Sequence, residues 1–168
     1  MLTEKICKTY YKDVALSLSN QDVKVESSFQ EKDGSNIANS ILVSVTGESF
    51  IKNPKLAEEI FGPYSILVKC KNIEELNHIL STLDGQLTGT VLGIEDEIES
   101  FDFSISQLEM KVGRLIFNGV PTGVEVCSSM QHGGPYPASS DSRFTSVGTM
   151  AIKRFTRPVA FQSWPDSQ

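Results

Sequence analysis

The chain has 168 residues and a formal net charge of −6, from 15 lysines and arginines against 21 aspartates and glutamates. Its length and its hydrophobic fraction of 39% predict one domain, residues 1–168, with a sizeable core. An acidic chain without a basic stripe repels phosphate backbones, and the apolar runs are too short to cross a bilayer. Nucleic acid and membranes are therefore not expected as partners, and the expected location is cytoplasmic.

The cysteines and histidines limit the disulfide and metal chemistry that is open to the chain. Cys7, Cys70 and Cys127 form no C-x-x-C pair, and an odd count is a poor disulfide framework. The two histidines, His78 and His132, have no second ligand-type residue at metal spacing. Reduced thiols and no metal site are the expectation.

The hydrophobic periodicity predicts an alternation of strands and helices. In chain order, the predicted elements are a helix at 2–18, strands at 23–25 and 41–45 around a polar turn at 31–36, a helical turn at 56–60, a strand at 64–70, a helix from 73, a strand at 87–94, a helix at 97–110, a strand at 114–117, a last helix at 147–155 and an extended segment at 158–162. Strands that alternate with helices build a parallel sheet covered by helices. The predicted fold class is α/β, a partial parallel sheet flanked by helices, followed by a long loop and a C-terminal segment.

Capping residues locate two of the predicted helices. Thr3 is a suitable N-cap for the first helix, whose apolar face is predicted to carry Ile6, Tyr10, Val14 and Leu18. Asn72 with Glu75 has the spacing of a capping box. The predicted buried face of the helix from residue 73 is formed by Ile73, Leu76, Leu80 and Leu83. His78 falls off this face, so we expect it to be solvated.

The long segment between the last predicted strand and the last predicted helix is rich in glycine, proline and hydroxyl residues. Long loops are usually either functional or disordered. Apolar residues spread along this one, among them Val124, Met130 and Phe144, favour an ordered loop, because disordered tracts lack such residues.

Three sequence patterns bear on chemistry. Residues 58–63, with the sequence EEIFGP, have the composition of an acidic helix end followed by a breaker. Cys127 and His132 have the residue types of a Cys-His nucleophile, but structural cysteines are commoner and a five-residue spacing is weak support. Residues 132–136, with the sequence HGGPY, are equally consistent with a tight surface turn and with a ligand-lining loop.

Taken together, several of these segments resemble one known family. The segments are residues 58–63, 117–127, 132–137, 141–143, 146–149 and 154–159. They resemble the C-terminal part of the NAD(P)-dependent aldehyde dehydrogenases, most closely the bacterial branch that oxidises α-ketoglutaric semialdehyde and related or fatty aldehydes. The similarity runs along nearly the whole chain but covers only the last third of a full-length enzyme. It implies that residues 1–153 belong to the catalytic domain and that residues 154–168 form an oligomerisation tail.

The resemblance also implies residue roles. Glu59 is expected to accept hydrogen bonds from the nicotinamide ribose hydroxyls, and Phe61 to pack beside the nicotinamide. The residues expected to line the substrate tunnel are Asn118, Pro121, Thr122, Gly123, His132, Gly133, Gly134 and Tyr136. The family's nucleophilic cysteine and general-base glutamate lie upstream of the matched region. No residue of this chain, Cys127 included, is therefore expected to be catalytic.

The function that the resemblance implies is that of a C-terminal fragment of an aldehyde dehydrogenase, which oxidises a small aldehyde to the carboxylate with NAD or NADP in the complete enzyme. The expected partners are the missing N-terminal part and further copies in a homo-oligomer, and the isolated chain is expected to be inactive. Two alternatives remain open: a non-catalytic assembly module and a small-molecule binder derived from the same family.

Overall fold

The computed structural model describes residues 1, 3–30, 36–121 and 123–165. The chain folds into two compact units, Met1–Leu83 and Asp84–Gln168. A single domain remains a prediction, because two compact units occur within one domain as well as in two. Each unit is described below by itself.

In its described residues, the first unit contains three α-helices, a short 3₁₀ helix and three strands. They are α1 at Glu4–Leu18, β1 at Lys24–Phe29, β2 at Ser40–Thr46, α2 at Gly47–Lys52, the 3₁₀ helix at Pro54–Ala57, β3 at Tyr64–Lys69 and α3 at Ile73–Thr82. The strands form one sheet in the order β1-β2-β3, in which β1 is antiparallel to β2 and β2 is parallel to β3. A bulge at Glu26 interrupts the pairing of β1 with β2.

The second unit contains a two-stranded sheet, one α-helix and a long loop. Its elements are β4 at Gln86–Val91, a 3₁₀ helix at Glu95–Phe101, α4 at Asp102–Glu109, β5 at Val112–Phe117 and a 3₁₀ helix at Thr149–Phe155. The strands β4 and β5 are parallel. The predicted α/β class is confirmed, although the strands form two small sheets and not one continuous sheet.

The core of the first unit lies where β2 meets α2 and α3. Val45, Phe50 and Ile79 are buried together there. Ile79 was not predicted as part of the buried face of α3, whose predicted residues are only half-buried. Glu75 is buried, and its carboxylate accepts a hydrogen bond of 2.7 Å from the backbone N–H of Lys71, the residue before the cap Asn72. The capping box is therefore confirmed in one of its two bonds, from Glu75 N to Asn72 Oδ1 at 2.9 Å.

Helix α1 confirms the predicted cap and most of its predicted face. Thr3 Oγ1 accepts a hydrogen bond of 3.2 Å from the backbone N–H of Ile6, and Ser19 is the C-cap. Tyr10 and Val14 are buried, whereas Leu18 at the end of the same stripe is exposed. Leu2, the first residue of the predicted helix, lies outside the described residues, as do residues 31–35 of the predicted turn.

The predicted and observed helices differ in several places, among them the last predicted helix at 147–155, which is a 3₁₀ helix at Thr149–Phe155. The helical turn predicted at 56–60 is wrong, since the 3₁₀ helix spans Pro54–Ala57 and Glu58 is already extended, with ψ 138°. Helix α2 was not predicted; it is short, and its signal is Thr46, whose hydroxyl accepts a hydrogen bond from Ser49 N. The helix predicted at 97–110 begins as a 3₁₀ helix and becomes α-helical only at Asp102, and no side chain in the described residues caps either start.

Helix length also bears on the membrane expectation. Among the described residues, no helix combines the length and the hydropathy that crossing a bilayer requires.

Candidate functional site

Residues 58–63, called the Glu59 turn below, connect the short 3₁₀ helix to β3. The side chain of Glu59 is exposed, and Phe61 is 61% exposed although it is a large apolar residue. The backbone of the same turn is held: Pro63 O accepts from Ile41 N at 2.9 Å, and Gly62 O accepts from Tyr64 N at 2.8 Å. A carboxylate and an aromatic ring are thus presented to solvent from a fixed backbone, and together they can bind a ligand with hydroxyl donors and a flat ring.

Residues 132–136 have the opposite character, because their backbone is buried against the strands. His132 is half-buried; its N–H donates to Thr145 Oγ1 at 2.8 Å, and its carbonyl accepts from Ser146 N at 3.0 Å. Gly134 is buried, and its carbonyl accepts a bond of 2.6 Å from Ser139 Oγ. Tyr136, at the end of the segment, is 82% exposed. Tyr136 therefore has the most accessible side chain of this predicted tunnel segment.

Three glycines allow this segment to approach the starts of β4 and β5. A Cβ atom on Gly113 would overlap the carbonyl of Gly133, and one on Gly134 would overlap the carbonyl of Gln86. A Cβ atom on Gly85 would likewise overlap the backbone of Pro135. Gly85 and Gly113 were not predicted as site residues, although a signal was present, since each is a glycine just before a predicted strand.

Asn118 forms a side-chain bridge between the ends of β4 and β5. Its amide nitrogen donates to Gly93 O at 2.8 Å, and its amide oxygen accepts from Gly93 N at 2.9 Å. Its backbone N–H donates to Val91 O at 2.9 Å, and its φ of 47° is in the left-handed region that asparagine tolerates. Because both ends of the amide bind Gly93, the structure gives Asn118 a role in fixing the loop.

The remaining predicted tunnel residues lie just beyond Asn118. Pro121 and Gly123 are exposed, and no atom lies within 4 Å of a Cβ placed on Gly123. Thr122 is outside the described residues.

The structure does not bring the two groups of predicted tunnel residues together. Asn118 follows the carboxyl end of β5, whereas Gly133 and Gly134 contact Gly113 and Gln86 at the strand starts. A strand rises about 3.3 Å per residue, so the ends of a six-residue strand are separated by roughly 16 Å.

Cys127 and His132 form hydrogen bonds with other residues. The thiol of Cys127 lies 3.5 Å from Ser129 Oγ, and its carbonyl accepts from the backbone N–H groups of Met130 and Thr149, each at 3.4 Å. All three cysteines are free thiols. Within the described residues, no group of three histidine, cysteine or acidic side chains has a metal-binding arrangement.

Comparison with known proteins shows what the chain is similar to. The chain is 45% identical over 129 residues to alpha-ketoglutaric semialdehyde dehydrogenase 2 of Azospirillum brasilense, which is 77% of this chain and 25% of that protein. It is 41% identical over 164 residues to the alpha-ketoglutaric semialdehyde dehydrogenase of Acinetobacter baylyi, which is 97% of this chain and 31% of that protein. The predicted resemblance to the aldehyde dehydrogenases is confirmed. No family model matches the chain.

A solved structure has the same fold as this chain. The NAD-bound delta-pyrroline-5-carboxylate dehydrogenase of Mycobacterium tuberculosis superposes with a TM-score of 0.69 at 17% identity, over 99% of this chain and 30% of that one. This likeness shows the fold alone. The chain spans between a quarter and a third of the length of the curated relatives that it matches.

Proposed function

We propose that this chain is the C-terminal part of an NAD(P)-dependent aldehyde dehydrogenase, whose complete form oxidises an aldehyde such as α-ketoglutaric semialdehyde to the carboxylate. The observation that carries the proposal is the 41% identity over 97% of the chain to a protein of that name. The exposed Glu59 and Phe61 support it, since a cofactor-binding role requires both side chains to be accessible.

The Glu59 turn contributes cofactor binding in this proposal. The Glu59 carboxylate accepts hydrogen bonds from two neighbouring ribose hydroxyls, which a carboxylate with two oxygens does well. Phe61 supplies an apolar surface that limits where the nicotinamide ring lies. The bound cofactor supplies the hydride acceptor of the reaction. This chain contributes neither the nucleophile nor the general base.

The loop of the second unit contributes the substrate side in this proposal. Asn118 directly follows the carboxyl end of β5, where ligands bind in open α/β sheets, and Pro121 and Gly123 follow it along the chain. Among residues 132–136, Tyr136 has the exposure that a tunnel residue needs, and His132 is half-buried. Gly133 and Gly134 contribute by letting the backbone pack closely beneath. Thr122 belongs to the same proposed group.

The proposed partners are the upstream part of the enzyme, a small aldehyde and further copies of the same protein. The tail supports the last of these, because Phe155, Val159 and Phe161 are exposed by 84%, 55% and 69%. The three free cysteines fit the reducing conditions of the cytoplasm, which is the proposed location.

The decisive experiment is a matched pair of glutamine substitutions in the Glu59 turn. The upstream part of the Acinetobacter baylyi relative would be co-expressed with this chain, and aldehyde oxidation would be followed by NADH or NADPH formation. We expect Glu59→Gln to raise the cofactor KM about tenfold, because a neutral amide accepts less strongly from ribose hydroxyls than a carboxylate does. Glu58→Gln, the control with the same loss of charge one residue away, is expected to leave KM unchanged.

Equal kinetics for the two variants would contradict the proposed role of Glu59. If Glu58→Gln raised the cofactor KM and Glu59→Gln did not, the cofactor contact would have been assigned to the wrong carboxylate.

A further inference from the structure

Hydrogen bonds hold the backbone of the Glu59 turn at its end, but the side chains of the turn have little packing of their own. Glu59, Phe61, Gly62 and Pro63 are all exposed, and only Ile60 is half-buried. The turn nevertheless carries the two side chains that the proposed function needs in fixed positions. A packing contact from outside the turn would add to these hydrogen bonds in fixing it.

Tyr10 of α1 makes that contact. Its side chain is 1% exposed, and a Cβ atom on Gly62 would overlap Cδ2 of the tyrosine ring and lie 2.7 Å from its Cε2. Glycine is therefore the residue that allows the turn to lie against the ring. Phe61 directly precedes Gly62 in the chain, so a movement of Gly62 also moves Phe61.

The hydroxyl of Tyr10 fixes the ring in this position. It donates to Asn39 O at 2.5 Å, and Pro63 O lies 3.4 Å from the same oxygen. Burial, with the neighbouring Tyr11 and Tyr64, raises the pKa of Tyr10, so the group remains a protonated donor at neutral pH. One side chain thus connects α1, the segment before β2 and the Glu59 turn.

We propose that Tyr10 is the positioning residue of the Glu59 turn, which it holds so that Glu59 and Phe61 meet the cofactor. The proposal rests on the proposed function and adds a residue that no motif indicated. Tyr10 does not touch the cofactor; it acts through Gly62 and Pro63.

Tyr11 provides a matched control on the same helix. Its hydroxyl donates to Ile37 O at 3.0 Å and accepts from Asn39 N at 3.2 Å. Both tyrosines therefore tie α1 to the segment before β2, but among the hydrogen bonds of the described residues those of the Tyr10 hydroxyl also reach the Glu59 turn, at Pro63 O, and those of Tyr11 do not. Tyr10→Phe and Tyr11→Phe each remove one hydroxyl and keep the ring.

Hydrogen exchange on the full chain tests the positioning directly. The reporter is the amide of Tyr64, which is bonded to Gly62 O at 2.8 Å, and the reference is the amide of Glu75, bonded to Asn72 Oδ1 at 2.9 Å. We expect Tyr10→Phe to accelerate exchange at the reporter about fivefold relative to the reference, which is the effect of one lost neutral hydrogen bond. Tyr11→Phe should leave the ratio unchanged. Equal ratios in the two variants would overturn the proposal.

Cofactor kinetics, with the upstream part co-expressed, test the consequence. We expect Tyr10→Phe to raise the cofactor KM about fivefold with a smaller change in kcat, and Tyr11→Phe to change neither. If Glu59→Gln raises KM and Tyr10→Phe does not, the role of Tyr10 is overturned while the proposed function stands. If Glu59→Gln has no effect but the exchange ratio changes, the proposed function fails and Tyr10 remains the anchor of the turn.

Gly62→Ala is the reciprocal variant. The added methyl group must displace the Tyr10 ring, so this change should accelerate exchange at Tyr64 as Tyr10→Phe does. Both substitutions act on the position of one ring: Tyr10→Phe removes the hydroxyl that fixes it, and Gly62→Ala displaces it. Their effects on the exchange ratio should therefore not add in the double variant, and additive effects would count against a shared role of the ring.

Discussion

The Glu59 turn and residues 132–136 both combine glycine with proline, yet the structure uses them in opposite ways. In the Glu59 turn the side chains Glu59 and Phe61 are exposed and a tyrosine from outside holds the backbone. In residues 132–136 the glycines are buried, and their backbone fills the space at the starts of two strands. The Glu59 turn therefore exposes side chains that can bind a ligand, whereas residues 132–136 mainly pack against the strands.

The difference teaches how a glycine-rich motif should be interpreted. The glycine of the Glu59 turn permits one contact, with an aromatic ring, and leaves its neighbours accessible. The glycines at 133 and 134 face backbone atoms of other segments, so their role is close approach between main chains. What lies opposite the missing Cβ atom separates the two cases, and the sequence alone does not contain that information.

The largest expected effect concerns catalysis, and it tests whether residues 132–136 only pack. We expect the isolated chain to oxidise no aldehyde with NAD or NADP, because the loss of a covalent nucleophile removes orders of magnitude of rate. Cys127 and His132, the candidate pair near the packing segment, bond to other partners. The measurement is NADH or NADPH formation with semialdehyde, with Cys127→Ser as the control. Turnover by the native chain that disappears in this variant would make the segment catalytic.

Glycine substitutions test the packing role of residues 132–136 through the free energy of unfolding, the second-largest expected effect. Gly113→Ala places a methyl group on the carbonyl of Gly133, and we expect the free energy of unfolding to fall by about 3 kcal/mol, the upper part of the range for overpacking. Gly123→Ala is the matched control in the same unit, because nothing lies within 4 Å of its Cβ position. That variant should keep the stability or gain up to ~1 kcal/mol from a less flexible unfolded chain. Urea unfolding measures both, and equal stabilities would refute the packing interpretation.

The sequence predicted local features better than it predicted contacts between distant residues. The cap Thr3, the cap Asn72 and the exposed His78 were predicted because each depends on neighbours within one turn of a helix. The boundary at Pro54 was missed because the acidic residues after it extend the helical composition beyond the point where the backbone becomes extended.

The long-range contacts could not be derived in the same way. Tyr10 was placed on the buried face of its helix, but the sequence does not say that Gly62 is the residue against its ring. The bridge from Asn118 to Gly93 depends in the same way on a pairing of β4 with β5 that is fixed only in the fold. The roles of Glu59, Phe61 and the tunnel residues stay predictions, since they rest on the family resemblance.

The C-terminal tail is a third segment that differs from both, because several of its exposed side chains are apolar. Phe155, Val159 and Phe161 are exposed, and an apolar segment of this kind favours pairing with another chain. We expect light scattering to show about twice the molar mass for the full chain as for a version ending at Lys153, with pairing on one side only because Pro158 cannot donate a hydrogen bond.

A full-length variant with Phe155→Ser and Phe161→Ser is the control, because it keeps the chain length and removes the apolar contacts. This variant should behave as a monomer. A monomeric native chain would refute the proposed oligomer.

The smallest expected effect is a difference in pH dependence between two carboxylates, one in each unit. Hydrogen bonds from Lys69 and then Ser44 lower the pKa of Glu26 to about 2, against partial desolvation, with a further contribution from the charge of Lys24. Glu26 Oε1 in β1 accepts a bond of 2.8 Å from Lys69 Nζ in β3 and one of 2.6 Å from Ser44 Oγ in β2. Side-chain and backbone hydrogen bonds from Arg143 lower the pKa of Asp141 to about 2 as well, but these two residues are only two positions apart.

Both carboxylates have a lower pKa in the folded chain than their usual values of 4.5 and 3.8, so each stabilises the fold above its unfolded pKa. That stabilisation is lost as the pH falls towards about 2. A contact between residues two apart persists in part in the unfolded chain, whereas one between three strands does not. We therefore expect Glu26→Gln to lower stability at pH 7 more than Asp141→Asn does, and the deficit of the Glu26 variant to shrink as the pH falls from 4.5 towards 2. Urea unfolding across this range measures both, and a constant deficit would show that the strand-bridging carboxylate does not stabilise the fold through its charge.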